Sequence, residues 1–192
     1  MGNRGLFFKR FLCNPSRIGA IVPSSPALCR ELVTWLEVDK ASAVAELGPG
    51  TGVVTREVLE QKGENTAFFA VELDPAICKA FRTTLPEVKL YNANACELEK
   101  ICQEENIQSL DAVVSGLPWA AFPEELQRAI LGALLKSLAP GGKFTTFAYL
   151  QGLVLPAGLR FRTLLKEHFS SVTTSRVVWN NLPPAITYRC IK

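Results

Sequence analysis

The chain has 192 residues, 48% of them apolar and 20% charged, with a formal net charge of +3. That is the composition of one globular domain, long enough to bury ~70% of its unfolded surface without a disulfide or metal staple. It excludes a disordered tail, a collagen or coiled-coil rod and a disulfide miniprotein, and no run of ~20 apolar residues is present to cross a membrane.

Gly5 to Leu12 has helical spacing: Phe7, Phe8, Phe11 and Leu12 share one face, Lys9 and Arg10 lie opposite, and Asn14-Pro15-Ser16 ends it. Ser25 as N-cap with Pro26 at N1 opens a helix to about Val38. Strands and helices then alternate. Ala43 to Leu47 is a strand, Gly48 to Gly52 a glycine turn and Val53 to Lys62 a helix. Thr66 to Leu73 is a strand, Asp74 to Thr84 a helix and Val88 to Asn92 a short strand. Asp111 to Ser115 is a strand, Pro123 to Leu138 a helix, Ala139 to Gly142 a turn and Lys143 to Leu150 a strand. Leu159 to Phe169 is a helix, and Val172 to Trp179 with Ala185 to Ile191 forms a closing strand pair. This order predicts an α/β, Rossmann-like fold: a mostly parallel sheet, helices on both faces and an antiparallel last strand. Residues 1–38 are expected to form an amphipathic helix and a segment covering the site, and residues 39–192 the core.

The six cysteines, Cys13, Cys29, Cys78, Cys96, Cys102 and Cys190, form no CxxC pair, and His168 is the one histidine. No metal site is expected. Lys9 and Arg10 interrupt an apolar run too short for a signal peptide, and Leu6 stands where a myristoylation signal needs Ser or Thr. The expectation is a cytoplasmic protein with reduced thiols. Charge is segregated: residues 1–30 hold five basic residues and no acid, residues 31–125 seven basic and seventeen acidic, and residues 126–192 nine basic and one acidic. Such ends suit an anionic partner, nucleic acid or an anionic membrane surface, unless the fold interleaves the segments.

Ligands of such sheets bind beyond the carboxyl ends of the strands. There the chain reads Glu46-Leu47-Gly48-Pro49-Gly50-Thr51-Gly52. Glycines let a ligand approach the backbone. The spacing is GxGxG rather than the dinucleotide GxGxxG, and no P-loop lysine follows. Glu46 repels a pyrophosphate and attracts an ammonium, such as the amino-acid end of S-adenosylmethionine. Glu72, ending the second strand, is placed to accept ribose hydroxyls, or is simply a solvated strand end. Asp74 caps the next helix. Asn94 is placed to meet an adenine edge, with the N–H of Ala95 or Cys96 on a ring nitrogen, or it makes a local turn.

Together these residues resemble the class I S-adenosylmethionine-dependent methyltransferases over about residues 40–191. The resemblance implies seven strands with a reversed last hairpin. The adenine-contacting position is usually Asp in that family and is Asn94 here. After the fourth strand, Ser115-Gly116-Leu117-Pro118-Trp119 stands where the ribosomal RNA adenine dimethyltransferases carry Asn-Leu-Pro-Tyr, so Gly116 replaces the base-gripping asparagine and Trp119 the tyrosine.

The chain most resembles the bacterial phospholipid N-methyltransferases, which act on phosphatidylethanolamine. The resemblance rests on Gly19-Ala20-Ile21-Val22-Pro23-Ser24-Ser25, the Glu46–Gly52 turn, Gly116–Trp119 and Leu182-Pro183-Pro184-Ala185. It implies a phospholipid substrate at an anionic membrane surface, peripheral attachment to the inner membrane surface and a membrane-contacting N-terminal helix. RNA adenine and small-molecule N-methylation are the alternatives. The expected cofactor set is Ser24, Ser25, Glu46, Gly48, Pro49, Gly50, Thr51, Gly52, Glu72, Leu73, Asn94, Ala95 and Ser115. The expected transfer set is Ser115, Gly116, Leu117, Pro118, Trp119 and Tyr188. No carboxylate lies between Ala112 and Phe122 to serve as a base, so hydrogen-bond acceptors fall to the Gly116 and Leu117 carbonyls, the Ser115 hydroxyl or Tyr188. Trp119 offers its face to a methylated ammonium or packs over the cofactor.

Overall fold

The computed structural model describes residues 24–192; the expected helix over Gly5–Leu12, Cys13 and the stretch Gly19–Pro23 lie outside the described residues. Helix α1 (Pro26–Thr34) begins as its sequence demands, with the Ser25 hydroxyl accepting the Leu28 N–H and Pro26 following. It stops short of Val38. Leu36 and Val38 are buried from a turn instead, which preserves the apolar pattern of a longer helix.

Strand β1 (Ala43–Leu47), α2 (Val53–Gln61), β2 (Ala67–Glu72), α3 (Pro75–Thr84) and β3 (Lys89–Asn92) match the expected alternation. Between β3 and β4 (Leu110–Ser115) lie a 3-10 turn (Ala95–Glu97) and α4 (Leu98–Glu104), both missed in the sequence. Their buried side chains, Leu98, Ile101 and Cys102, do carry helical spacing, but charged residues surround so short a run. A second 3-10 turn (Trp119–Ala121) precedes α5 (Glu124–Ser137). The turn expected at Ala139–Gly142 is absorbed into β5 (Leu138–Tyr149), whose pairing with β4 slips between Leu110 and Ala112. A third 3-10 turn (Leu150–Val154) leads to α6 (Pro156–His168), which starts three residues before the expected Leu159. Strand β6 (Ser171–Thr174) ends earlier than expected, leaving one bridge from Val178 to Ala185, the first residue of β7 (Ala185–Ile191).

The sheet order is β3-β2-β1-β4-β5-β7-β6. All pairs are parallel except β5–β7 and β6–β7. Alternate side chains face opposite layers: Val44, Ala112 and Val114 pack under α1 and α2, while Ala45, Leu47 and Val113 pack under α4, α5 and α6. Helix α3 covers β2 and β3 through Cys78 and Phe81. The strand order reverses between β1 and β4, which opens a crevice at their carboxyl ends. Residues 31–125 supply β3, β2, β1 and β4, and residues 126–192 supply β5, β7 and β6, but the charge segments interleave through ion pairs: Arg128 and Arg160 with Glu124, Lys136 with Glu99, Lys143 with Glu37 and Arg189 with Glu31.

Candidate active site

The glycine turn is built by hydrogen bonds to its neighbours. The Gly48 N–H donates to Val71 O at 2.9 Å and the Gly52 N–H to Pro49 O at 2.9 Å. Gly48, Gly50 and Gly52 have φ of 72°, 56° and 82°, a left-handed backbone that side chains resist. The reasons differ along the turn. A Cβ on Gly48 meets Leu117 Cδ2 at 2.7 Å and one on Gly52 meets Leu85 Cδ1 at 2.6 Å, so those glycines serve packing. A Cβ on Gly50 meets nothing within 4 Å, so this is the glycine whose backbone borders open space.

Two carboxylates flank the turn. Glu46 is fully buried beneath α2, where the Thr55 hydroxyl donates to Oε2 at 2.6 Å. Burial pushes its pKa up to about 7, against the Thr55 hydrogen bond that favours the ionised form; nearby Glu72 pushes it further up. Glu72 is also buried, which raises its pKa, while the N–H groups of Asp74, Gly50 and Leu73 hydrogen-bond it and hold it against the glycine turn. No cationic side chain contributes at either carboxyl. Two carboxyls that a cation would hold in their ionised form thus lie beside an open glycine backbone. A cationic sulfonium with an ammonium group and a ribose fits those acceptors.

Asn94 takes the local-turn alternative. Its Oδ1 accepts the Cys96 N–H at 2.9 Å, and the Glu97 carboxylate accepts the Asn94 N–H at 3.1 Å, a reciprocal cap on the 3-10 turn that holds Ala95. Leu73 packs against the core at the end of β2, next to Glu72. Pro49 and Thr51 lie within the glycine turn, where the Pro49 carbonyl closes it. Ser25 spends its hydroxyl on the α1 cap, and Ser24 O accepts from Cys29 Sγ.

The loop after β4 packs on the glycine turn. The Gly116 N–H donates to Leu47 O at 2.8 Å, and a Cβ on Gly116 falls 2.5 Å from Gly48 O. Residue 116 is thus a glycine because two backbones touch there. Ser115 Oγ accepts from the Leu117 N–H and from Trp119 Nε1, each at 3.2 Å. Both lone pairs are used, so the hydroxyl shapes the loop rather than accepting from an amine. Leu117 O is also engaged, by the Trp119 N–H at 3.0 Å. Pro118 begins the 3-10 turn.

Trp119 is 2% exposed; its ring stacks on Phe161 at 4.4 Å and meets Phe122 and Phe144 edge-on. Phe161 thus occupies a face on which an ammonium was expected. Tyr188, expected beside the amine, is likewise buried, edge-on to Phe161 at 6.1 Å, and burial raises its phenol pKa. The sequence reading missed Gln127. This fully buried side chain on α5 donates from Nε2 to Trp119 O at 2.7 Å and to Ala157 O at 3.0 Å. A polar residue on the apolar face of α5 was its signal, and its partners were not legible.

Among the described residues no side-chain cluster suits a metal ion and no helix is long and apolar enough to cross a membrane. The sequence matches the methyltransferase-domain family over residues 44–142. It is 30% identical over 190 residues to an ornithine lipid N-methyltransferase of Singulisphaera acidiphila, covering 96% of this chain and 94% of that one. It is 37% identical to the ribosomal RNA small subunit methyltransferase A of Acaryochloris marina, but over only 60 residues, 31% of this chain and 21% of that one. An O-methyltransferase from Bacillus cereus, solved with S-adenosylhomocysteine, shares the fold with a TM-score of 0.73 at 13% identity, over 100% of this chain and 92% of that chain.

Proposed function

The chain belongs to the methyltransferase-domain family, and from that premise we propose that it is an N-methyltransferase acting on the amine head group of a membrane lipid, with S-adenosylmethionine as donor. The observation that carries this reading is the similarity to the ornithine lipid N-methyltransferase along nearly the whole of both chains. A primary amine on an amino-acid lipid and that of phosphatidylethanolamine present the same chemistry, and both belong to the proposed substrate class.

When bound, S-adenosylmethionine would supply an electrophilic methyl for in-line displacement by a neutral amine, the carbon–sulfur bond breaking and S-adenosylhomocysteine leaving. The chain's own residues orient and desolvate. Gly50 lets the donor's amino-acid end approach the backbone, Glu46 supplies negative charge for its ammonium, and Glu72 accepts from the ribose hydroxyls. The pairing of Gly116 with Gly48 joins the acceptor loop to the donor turn, so the two reactants meet at one fixed spacing. The Gly116 carbonyl, with the second lone pair of the Leu117 carbonyl, is the acceptor-side contact, because both lone pairs of the Ser115 hydroxyl are already engaged. Oriented backbone in a dry crevice favours the amine after its proton has left to solvent.

RNA adenine methylation is the weaker reading. A side-chain amide that grips a base amine has no room at residue 116, where any Cβ meets Gly48 O at 2.5 Å. The test is a labelled-methyl assay offering an amine-containing lipid extract and total RNA in parallel. Label in the lipid phase alone is expected. Label in RNA, or in neither, overturns the proposal.

A further inference from the structure

Five large apolar side chains are exposed among the described residues: Val154, Leu155, Leu159, Trp179 and Leu182, with Val154, Trp179 and Leu182 each at least 70% exposed. All five fall at one end of the molecule. Val154, Leu155 and Leu159 follow the carboxyl end of β5. Trp179 and Leu182 lie in the β6–β7 connection, which the antiparallel pairing of β7 returns to that same end. The Leu150 N–H donates to Pro184 O at 3.0 Å, tying the two segments together.

This edge adjoins the transfer loop. A Cβ on Gly152 would lie 3.4 Å from the Ala120 Cβ and one on Gly158 would lie 3.6 Å from it, and Gln127 bridges Trp119 O to Ala157 O. The edge is also basic: Arg160, Arg162 and Arg176 are exposed in these segments, Arg160 with Glu124 at 3.8 Å, and residues 150–162 and 175–184 contain no acid. The described chain begins here too, because the Ser25 N–H donates to Asn181 Oδ1 at 2.9 Å. Residues 1–23, which precede it in the chain, include Phe7, Phe8, Phe11 and Leu12, four basic residues and no acid.

We propose that this edge is a membrane-docking surface for an anionic bilayer, a proposal that rests on the lipid N-methyltransferase reading. Trp179 and Leu182 on one side, and Val154, Leu155 and Leu159 on the other, enter the headgroup–acyl boundary. Arg160, Arg162 and Arg176 meet anionic headgroups, as interfacial binding by apolar area plus basic charge requires. Docked this way, the crevice opens onto the lipid layer, and an amine headgroup reaches the Gly116 loop without leaving the membrane.

The full-length protein is compared with a Trp179→Ser/Leu182→Ser variant and a Val154→Ser/Leu155→Ser/Leu159→Ser variant. These side chains are exposed, so melting temperature and S-adenosylmethionine affinity by calorimetry are expected to hold. Partition onto phosphatidylcholine–phosphatidylglycerol vesicles, which contain no amine acceptor, is expected to fall by about tenfold or more in each variant. Transfer to an amine lipid in a bilayer should fall in parallel, while transfer to a short-chain, monomeric amine lipid should stay at the wild-type rate. Brominated lipids should quench the part of the emission that Trp179→Phe removes. Unchanged partition in both variants overturns the proposal. So does a Trp179 emission that brominated lipid leaves unquenched on bound protein, which marks the edge as covered by residues 1–23. If partition falls but no lipid is methylated in any form, the docking surface stands and the functional reading fails. If the short-chain lipid is methylated and partition is unchanged, the functional reading stands and the docking surface fails.

Discussion

Glu46 is a carboxyl whose burial sets its behaviour. The glycine turn after it pointed to a cationic ligand from sequence alone, but only the packing of α2 over it shows that it titrates near pH 7 rather than near the ordinary 4.5. The folded pKa lies above the unfolded one, so the folded state binds more protons between them. Stability of the ligand-free protein therefore falls as pH rises from about 4.5 to about 7, and the cost persists above that. A Glu46→Gln variant keeps the Thr55 contact and escapes this cost. It should be more stable than wild type at pH 8, by on the order of 1–3 kcal/mol, and no more stable at pH 4. An ammonium ligand favours the ionised form, so wild-type cofactor affinity should climb between pH 6 and pH 7.5, while the variant binds more weakly with a flat profile. Thermal melts and calorimetry across that range check both signs. Gly116 teaches the complementary lesson. Its departure from the asparagine of related enzymes was visible in the sequence, but its cause, contact with Gly48 O, was not.

The loop between β4 and α5 has no regular ladder to hold it, so side chains do. Ser115 Oγ gathers the Leu117 N–H and the Trp119 indole, Trp119 stacks on Phe161, and Gln127 ties the loop to the first turn of α6. Replacing Gln127 with Leu removes a buried donor shared by the Trp119 and Ala157 carbonyls, although Trp119 O keeps the Phe122 N–H, a loss of about 0.5–1.5 kcal/mol for each hydrogen bond. The variant should melt lower and turn over its acceptor at least tenfold more slowly, since a small misplacement at the reacting centre costs that much or more. Its S-adenosylmethionine affinity should stay within about twofold of wild type, because the glycine turn has its own anchors. Calorimetry beside steady-state rates tests the separation. At this scale the sequence was readable where capping residues or a short apolar run marked an element, as at Ser25 and β1. It failed at α4, a helix of seven residues whose apolar stripe was too short to stand out.

For the whole molecule, the sheet order decides what the charge pattern means. The acidic middle segment and the basic last segment supply opposite halves of one sheet, yet Arg128, Lys136, Lys143, Arg160 and Arg189 of the last segment pair with acids of the middle one, so folding cancels part of the asymmetry seen along the chain. Residues 1–23 carry four basic residues and no acid, and Ser25 meets Asn181 at the carboxyl-end edge. Reversing Lys9 and Arg10 to Glu should lower binding to anionic vesicles several-fold, most strongly at low salt, as expected for about 1 kcal/mol per basic residue near such a surface. Melting temperature should hardly move. Cosedimentation at two ionic strengths and a thermal melt check this; a variant that unfolds, or binds as before, contradicts it. The sequence by itself determined the α/β class, the strand–helix order and the location of the glycine turn with its two carboxylates. Those rest on local periodicity and short-range turn chemistry. Only the tertiary structure decided that Trp119 and Tyr188 are buried, that Gln127 clamps the acceptor loop, and that five exposed apolar side chains from two distant segments share one edge. Such facts depend on which residues far apart in the chain come into contact, and that is set by sheet order and layer packing, which no local pattern encodes.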